Sequence, residues 1–289
     1  MKISSILAKP QPSVSFEVFP PKKDRPLEGT KELVAEIAAT GPAFMSVTYG
    51  AAGGTTGANT CAIAEHVQKT CGVPVLAHLT CVAATRESID REVASFRAAG
   101  IENILCLRGD LAPETVFPGD SAFSHASDLV AALAGKGFCL GGACYPEGHP
   151  ESPHFADDIA LVKEKVEAGL EFLTTQMFFD NNVFYRYLSR LRAAGVTVPV
   201  IPGIMPVTNG RQIARICKLS GTYLPQRFAA IVDRFGDRPD QMMDAGVAYA
   251  TEQIIDLMAN GVNAVHVYTM NKPVIGERIM SNLGAIVAA

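Results

Sequence analysis

The sequence predicts an α/β protein that folds as a single (β/α)8 barrel of the TIM type over residues 1–289, with extra helices between strands 7 and 8. Eight short apolar runs recur along the chain, and most begin about 30 residues apart, the length of a strand, a crossover helix and two loops. The runs are apolar throughout, as in parallel strands that are covered on both faces. No change of composition divides the chain. The alternative is an open, doubly wound sheet.

The predicted strands are rich in β-branched and aromatic residues. In chain order they cover 14–19, 44–49, 73–81, 104–107, 138–145, 172–179, 198–205 and 264–270. After the third strand, Thr85 is placed to cap a helix that ends at Gly100. Ile89, Val93 and Phe96 share one face of this helix, which is the spacing of a helix packed on a sheet.

Two later segments complete the pattern. After the fifth strand, an apolar repeat at helical spacing over 159–166 follows the acidic pair 157–158, and Gly169 ends it. About 65 residues separate the starts of the seventh and eighth strands, which leaves room for extra helices at 221–235 and 240–260. We expect this insertion to cover the barrel or to form a subunit contact in a homo-oligomer.

The composition narrows the class of protein. Hydrophobic residues make up 48% of the chain, charged residues 19%, and the net charge is −4, so the chain is neither disordered nor built to coat nucleic acid. Its seven cysteines lie mostly in apolar runs without a CxxC pair, which predicts buried thiols in a reducing compartment and no metal site. With no signal peptide or membrane-spanning run in the sequence, we expect a cytoplasmic protein.

Polar side chains stand at the ends of seven predicted strands. In a parallel barrel these ends converge on one mouth, where the chemistry of such folds takes place. Each residue alone is explained as a turn former, so it is their joint placement that predicts a site. The seven residues are Glu17, Thr48, His78, Asp110, Tyr145, Gln176 and Tyr268.

Glu17 is the most specific of these residues because it lies inside an apolar strand. A buried carboxyl is costly unless it is paired or protonated. The position predicts a raised pKa and a general acid that works near neutral pH. The alternative is a structural ion pair with an Arg or Lys inside the barrel.

Several other patterns leave two interpretations open. The Arg-Gly-Asp run at 108–110 combines a cation, an anion and a flexible backbone, but a surface turn has the same pattern. The glycine-rich run 53–57 could bind a phosphate or be a plain loop. Asp158, Leu161 and Lys165 form one helical stripe, which is either solvated or binds a ligand. Asn209 and Gln212 have the spacing of a helix cap.

Eight motifs in order resemble those of the methylenetetrahydrofolate reductase family, in its short bacterial form that consists of the catalytic domain. The resemblance runs from about residue 14 to the C-terminus. The motifs are SFEVFPP (15–21), VTYGA (47–51), AHLTC (77–81), LRGDL (107–111), YPEGHPE (145–151), TQMFFD (175–180), PGIMP (202–206) and VYTMN (267–271).

The resemblance implies a barrel that holds FAD and reduces 5,10-methylenetetrahydrofolate to 5-methyltetrahydrofolate with NADH or NADPH, the nicotinamide and the folate reacting in turn at the flavin. It implies that Glu17 is the acid that opens the methylene bridge to an iminium, and that Asp110 lies beside flavin and pterin. The implied cofactor-binding residues are Thr48, Tyr49, Ala51, His78, Arg108, Gly109, Asp110, Ala143, Tyr145, His149, Asp158 and Lys165. The implied substrate-binding residues are Gln176, Gln212, Tyr268 and Lys272.

The chain departs from the family pattern at positions that bear on ligand affinity and nicotinamide preference. Lys272 stands where an Arg is common, which keeps the charge and loses the bidentate fork. The other departures are Gly57, Leu161, Glu164 and Ile216. Two other functions stay open: a folate- or pterin-dependent methyltransferase on a barrel without flavin, and a barrel kept as a binding subunit of a complex.

Overall fold

The structure is a computed structural model that describes residues 1–21, 26–49, 56–111, 123–152 and 154–287. Its centre is one sheet of parallel strands in which the first strand pairs with both the second and the last. The strands are β1 (Ser13–Val18), β2 (Met45–Val47), β3 (Val75–Thr80), β4 (Asn103–Leu107), β5 (Cys139–Cys144), β6 (Phe172–Thr175), β7 (Val200–Ile201), β8 (Gly203–Ile204) and β9 (Ala264–Tyr268).

All eight predicted strands are present, and the seventh is divided in two by Pro202. β7 pairs with β6, while β8 pairs with β9, so the two halves together close the sheet. Proline has no N–H to give to a strand neighbour. Its carbonyl still accepts from His266 N at 2.9 Å, which continues the ladder across the break. The closed barrel is confirmed, and the open sheet is wrong.

Helices surround the barrel. They are α1 (Ile3–Leu7), α2 (Leu27–Ala39), α3 (Thr56–Glu65), α4 (Arg86–Ala99), α5 (Ala126–Leu133), α6 (Phe155–Glu167), α7 (Asn181–Ala193), α8 (Gly210–Ser220), α9 (Gln226–Phe235), α10 (Pro239–Ala259) and α11 (Pro273–Leu283). A π-helical turn, His66–Thr70, continues α3. The predicted ends of α4 are confirmed, since the Thr85 hydroxyl accepts from Ser88 N and Gly100 takes the left-handed conformation.

The insertion between the seventh and eighth barrel strands forms α8, α9 and α10. The sequence predicted helices at 221–235 and 240–260, and the structure adds α8 before them. Glycine lets these helices approach closely: an added Cβ on Gly210 would meet Gly236 Cα at 2.5 Å, and one on Gly246 would overlap the carbonyl of Val207. The insertion therefore packs directly on the loop that follows β8.

The N-terminal helix α1 covers the end of the barrel opposite the mouth. Ile3 and Ile6 pack there against Leu76 and other buried side chains of the barrel strands. Buried Asn103 fixes this helix, because its Oδ1 accepts from Ile3 N at 2.8 Å and its Nδ2 donates to Val75 O at 2.9 Å. One end of the barrel is thus filled, and the other is left for the site.

The seven cysteines are free thiols, four of them buried and three half-buried. Among the described helices, none combines the length and apolar character needed to cross a bilayer.

Candidate active site

The carboxylate of Glu17 lies inside the barrel mouth among side chains from three other strands. Its Oε2 is 3.4 Å from Ser46 Oγ, 3.6 Å from His78 Nε2 and 3.9 Å from His266 Nε2. His266 is held in turn, since its Nδ1 is 2.7 Å from Ser15 Oγ and its Nε2 is 2.9 Å from Ser46 Oγ. Histidine and serine therefore surround this carboxylate, in place of the Arg or Lys that the alternative interpretation expected.

The environment of Glu17 lowers its pKa below the usual value, so the predicted raised pKa is wrong for the protein without substrate. Burial raises the pKa, but the imidazoles of His266 and His78 and the Ser46 hydroxyl stabilise the carboxylate and outweigh burial. The Glu17 side chain is 22% exposed, so the carboxylate is not closed off from the barrel mouth. Glu17 is therefore an ionised carboxylate at rest.

His78 lies beside Glu17 and is neutral near pH 7. Burial lowers the pKa of His78 to about 4, against the opposing effect of the Glu17 carboxylate. Its Nε2 makes no hydrogen bond to any residue that the structure describes. A buried polar atom without a partner is uncommon and is typical of a place where a ligand binds.

A cavity of about 310 Å³ opens at the ends of β4 and β5. It gathers eight of the residues predicted to bind the cofactor: Arg108, Gly109, Asp110, Ala143, Tyr145, His149, Asp158 and Lys165. Leu161, which is 46% exposed, is part of the same wall. The grouping of these residues, which lie up to 57 positions apart in the chain, makes the cavity the strongest candidate for a cofactor site.

One side of the cavity is formed by the loop after β4. Gly109 has φ +95°, and an added Cβ there would lie 2.7 Å from Val82 Cγ1, so only glycine fits this turn. Arg108 makes a bidentate ion pair with Glu151, with Nη1 and Nη2 2.6 and 2.9 Å from its two carboxylate oxygens. Asp110 is exposed at the edge. The run 108–110 is therefore part of the cavity wall.

Helix α6 contributes another part of the cavity lining. Asp158 is only 4% exposed, and its Oδ2 has no hydrogen-bond partner among the described residues. Burial raises the pKa of Asp158 and lowers that of Lys165, while each charge favours the other. Lys165 Nζ donates to Ala143 O at 2.7 Å. The interpretation of this stripe as a solvated face is wrong for Asp158 and Lys165.

Two aromatic rings, those of Tyr145 and His149, also line the cavity. Tyr145 and His149 meet edge to face, with ring centroids 4.6 Å apart. Burial is the main cause that raises the pKa of Tyr145 to about 12, and burial lowers the pKa of His149, so both rings are uncharged at neutral pH. These two rings therefore add no charge to the cavity.

Three of the four residues predicted to bind substrate lie at or just after the ends of β6 and β9. Tyr268 donates its hydroxyl to Thr175 O at 2.6 Å, and the neighbouring Gln176 accepts from the Met177 N–H at 3.0 Å. Lys272 Nζ donates to Thr208 Oγ1 at 2.7 Å. Gln212 is exposed on α8, which belongs to the insertion.

The N-terminus of α8 accounts for one of the two residues, Asn209 and Gln212, that have the spacing of a helix cap. Asn209 Oδ1 accepts from Arg211 N at 3.1 Å, so Asn209 is the cap of this helix. The Gln212 side chain takes no part in that cap. Ile216, a departure from the family pattern, packs with Met177 and other apolar residues below the helix.

Two residues predicted to bind the cofactor follow β2. Thr48 N donates to Val18 O at 3.0 Å, which holds the end of β2 against β1. Burial, followed by the charge of Glu92, raises the pKa of Tyr49 to about 12. Ala51 and the run 53–55 lie outside the described residues. At Gly57 an added Cβ would overlap the Glu92 carboxylate.

Several residues of the site were missed by the sequence analysis, among them Ser15, Ser46, Glu151 and His266. The signal for Ser15, Ser46 and His266 is a polar residue inside an apolar strand, the same signal that singled out Glu17. Glu151 lies in a motif that the resemblance already used, but nothing in the sequence pairs it with Arg108.

The chain is similar to known proteins in sequence and in fold. A model of the family described as methylenetetrahydrofolate reductase matches residues 2–284. The 5,10-methylenetetrahydrofolate reductase of Escherichia coli is 33% identical, with 95% of this chain and 91% of the relative covered. Methylenetetrahydrofolate reductase (NADH) 1 of Arabidopsis thaliana is 34% identical over 99% of this chain but 50% of the relative, so the chain spans about half the length of such relatives.

Among solved structures, an uncharacterised protein from Clostridium thermocellum that binds 5-methyl-5,6,7,8-tetrahydrofolic acid has a TM-score of 0.69 at 15% identity, covering 99% of this chain and 98% of that one. At this identity the likeness supports the barrel fold alone. The family model spans nearly the whole chain, and the bacterial relative matches over most of both lengths. The chain belongs to the methylenetetrahydrofolate reductase family.

Proposed function

We propose that this protein reduces 5,10-methylenetetrahydrofolate to 5-methyltetrahydrofolate with electrons from NADH or NADPH, carried by FAD. The observation that carries the proposal is the Glu17 carboxylate at the open mouth of the barrel, 3.4 Å from Ser46 Oγ, 3.6 Å from His78 Nε2 and 3.9 Å from His266 Nε2. Family membership supports the same reaction. We propose further that residues 1–289 act as one catalytic domain in a cytoplasmic homo-oligomer, without nucleic acid or membrane partners.

The polar and charged groups that line the cavity suit FAD. Asp158 Oδ2 is a buried acceptor without a partner, as a ribose hydroxyl requires, and Lys165 and Arg108 supply cations for the diphosphate. When bound, FAD supplies the hydride carrier for the reaction. The acidic side chains Asp110, Glu151 and Asp158 outnumber these two cations, so the cavity relies on placed groups and not on a general positive field.

The chemistry requires a proton at the folate nitrogen that leaves the methylene bridge. Glu17 is the acid at the mouth, and it must first be protonated because its pKa is low at rest. Burial is the largest influence on this carboxyl and raises its pKa, so a substrate that covers the opening strengthens that influence. Asp110, an exposed carboxylate at the cavity edge, favours the cationic iminium that results.

An anaerobic experiment that separates the two half-reactions tests this proposal. The purified protein should bind FAD, bleach with NADH or NADPH, and reoxidise with methylenetetrahydrofolate. In Glu17→Gln we expect bleaching at nearly the normal rate and no reoxidation by the folate, while Glu36→Gln, on the exposed face of α2, should behave as wild type. A protein that binds no flavin would refute the proposal and favour the methyltransferase, and equal loss of both half-reactions in Glu17→Gln would refute the acid role.

A further inference from the structure

One loop joins the two sides of the mouth. It follows β5 and spans 145–152, and its Tyr145, His149 and Glu151 line the cofactor cavity. Between them, Glu147 points away from that cavity toward the insertion. Its Oε2 accepts the backbone N–H of Tyr223 at 2.5 Å. A single loop thus contacts the candidate cofactor site and the segment that ends α8.

A second contact from the same loop meets the same segment. Gly221 ends α8 in the left-handed conformation, with φ +68°. A Cβ added there would lie 3.2 Å from Pro150 Cγ, so the glycine lets the loop pack closely against the helix end. The contact at Glu147 is therefore one part of a docked surface.

The end of α8 is also tied to the loop after β6. Ser220 Oγ donates to Thr222 Oγ1 at 2.8 Å, and Thr222 Oγ1 donates to Met177 O at 3.3 Å. Met177 directly follows Gln176. At the start of α8, Thr208 accepts from Lys272 Nζ. The helix is thus held at both ends by segments that carry proposed substrate-binding residues.

We propose that Glu147 is a positioning residue for the folate, acting through α8 and without touching the substrate. By accepting the Tyr223 N–H it fixes the C-terminal end of α8. This helix carries Gln212, one of the proposed substrate-binding residues. Hydrogen bonds to a charged acceptor contribute more to stability than neutral ones, and their loss leaves the end of the segment free to move. This inference rests on the proposed function.

The test compares Glu147→Ala, which removes the acceptor, with Glu147→Gln, which keeps an oxygen in its place. In Glu147→Ala we expect the KM for methylenetetrahydrofolate to rise about tenfold, equivalent to about 1.4 kcal/mol, with kcat within about twofold of wild type. Glu147→Gln should restore most of the affinity. Affinity for FAD should stay within about twofold in both variants, because Glu147 does not line the cavity.

Amide hydrogen exchange gives a readout that does not depend on activity. Exchange over 218–224 should be faster in Glu147→Ala than in wild type and Glu147→Gln. Faster exchange with an unchanged KM would show that this helix end does not position the folate, and equal effects in both variants would show that the oxygen is not the group that matters. An equal loss of FAD affinity would move the role to the cofactor side. If wild type itself reduces no folate, the proposed function fails, whereas the exchange result still reports on the contact.

Discussion

Replacing His78 with Gln should remove a specific part of the pH dependence of stability. His78 is 6% exposed, and burial lowers its pKa to about 4 in the folded protein, against the ordinary value of 6.5 in an unfolded chain. Between these two values the unfolded chain binds a proton that the folded protein does not. The contribution of neutral His78 to the free energy of unfolding is therefore complete above pH 6.5 and is lost as the pH falls from 6.5 to 4.

The size of the effect follows from these two pKa values. Between pH 7 and pH 5, proton binding by the unfolded chain alone lowers the free energy of unfolding by about 2 kcal/mol. The pKa of Glu17 is lowered below its ordinary value by the neighbouring imidazoles and the Ser46 hydroxyl, against the effect of burial, so the carboxylate remains ionised in this window. In His78→Gln the imidazole is absent, and the fall between pH 7 and pH 5 should be smaller by that amount.

The assay is urea unfolding of wild type and variant at both pH values, with the same flavin content. Cys106→Ala is a matched control, because Cys106 is buried on the adjacent strand β4 and remains a neutral thiol at both pH values. The control should lower the free energy of unfolding equally at pH 7 and pH 5. If His78→Gln loses as much stability on acidification as wild type does, the imidazole is not the buried neutral group described here.

Three further predictions concern the cavity and the scaffold. Asp158→Asn should weaken FAD binding about tenfold in a fluorescence titration, because an amide is a weaker hydrogen-bond acceptor than a carboxylate. The matched control is Asp157→Asn at the exposed neighbouring position, which should bind FAD as wild type does. Equal effects of the two substitutions would contradict a role for the buried oxygen of Asp158. Gly246→Ala should lower the free energy of unfolding, measured in urea, by about 3 kcal/mol, because the new methyl group overlaps the backbone of Val207. Gly29→Ala places its methyl group in open space and should not destabilise the protein. An unchanged free energy of unfolding in Gly246→Ala would show that the insertion moves freely. Asn103→Ala should lower the free energy of unfolding by about 3 kcal/mol, because it removes hydrogen bonds of a buried side chain. These bonds lie at the closed end of the barrel, so the kcat for folate reduction should stay unchanged. A large fall in kcat would show coupling along the barrel axis.

The barrel strands and the ends of α4 could be predicted from the sequence because they depend on local properties. A run of β-branched residues between turn formers predicts a strand wherever it occurs, and Thr85 and Gly100 each determine one end of a helix through their own backbone and side chain. The same local argument placed Glu17 inside a strand. It did not resolve the break in the seventh barrel strand, because a proline in a strand is compatible with an edge as well as with a division.

The electrostatics of the site was decided by the tertiary structure. The imidazole of His266 lies 251 positions from Ser15 and 220 from Ser46, and these contacts form only when β9 closes the barrel against β1. The pKa of a carboxyl depends on which groups surround it, so the sequence could predict that Glu17 lies inside a strand but not that its pKa is lowered. In the same way, the sequences after β4 and after β5 each predict a turn. Only the approach of these two loops in the folded barrel pairs Arg108 with Glu151. Strands and caps follow from neighbours in the chain, whereas charges and cavities follow from neighbours in space.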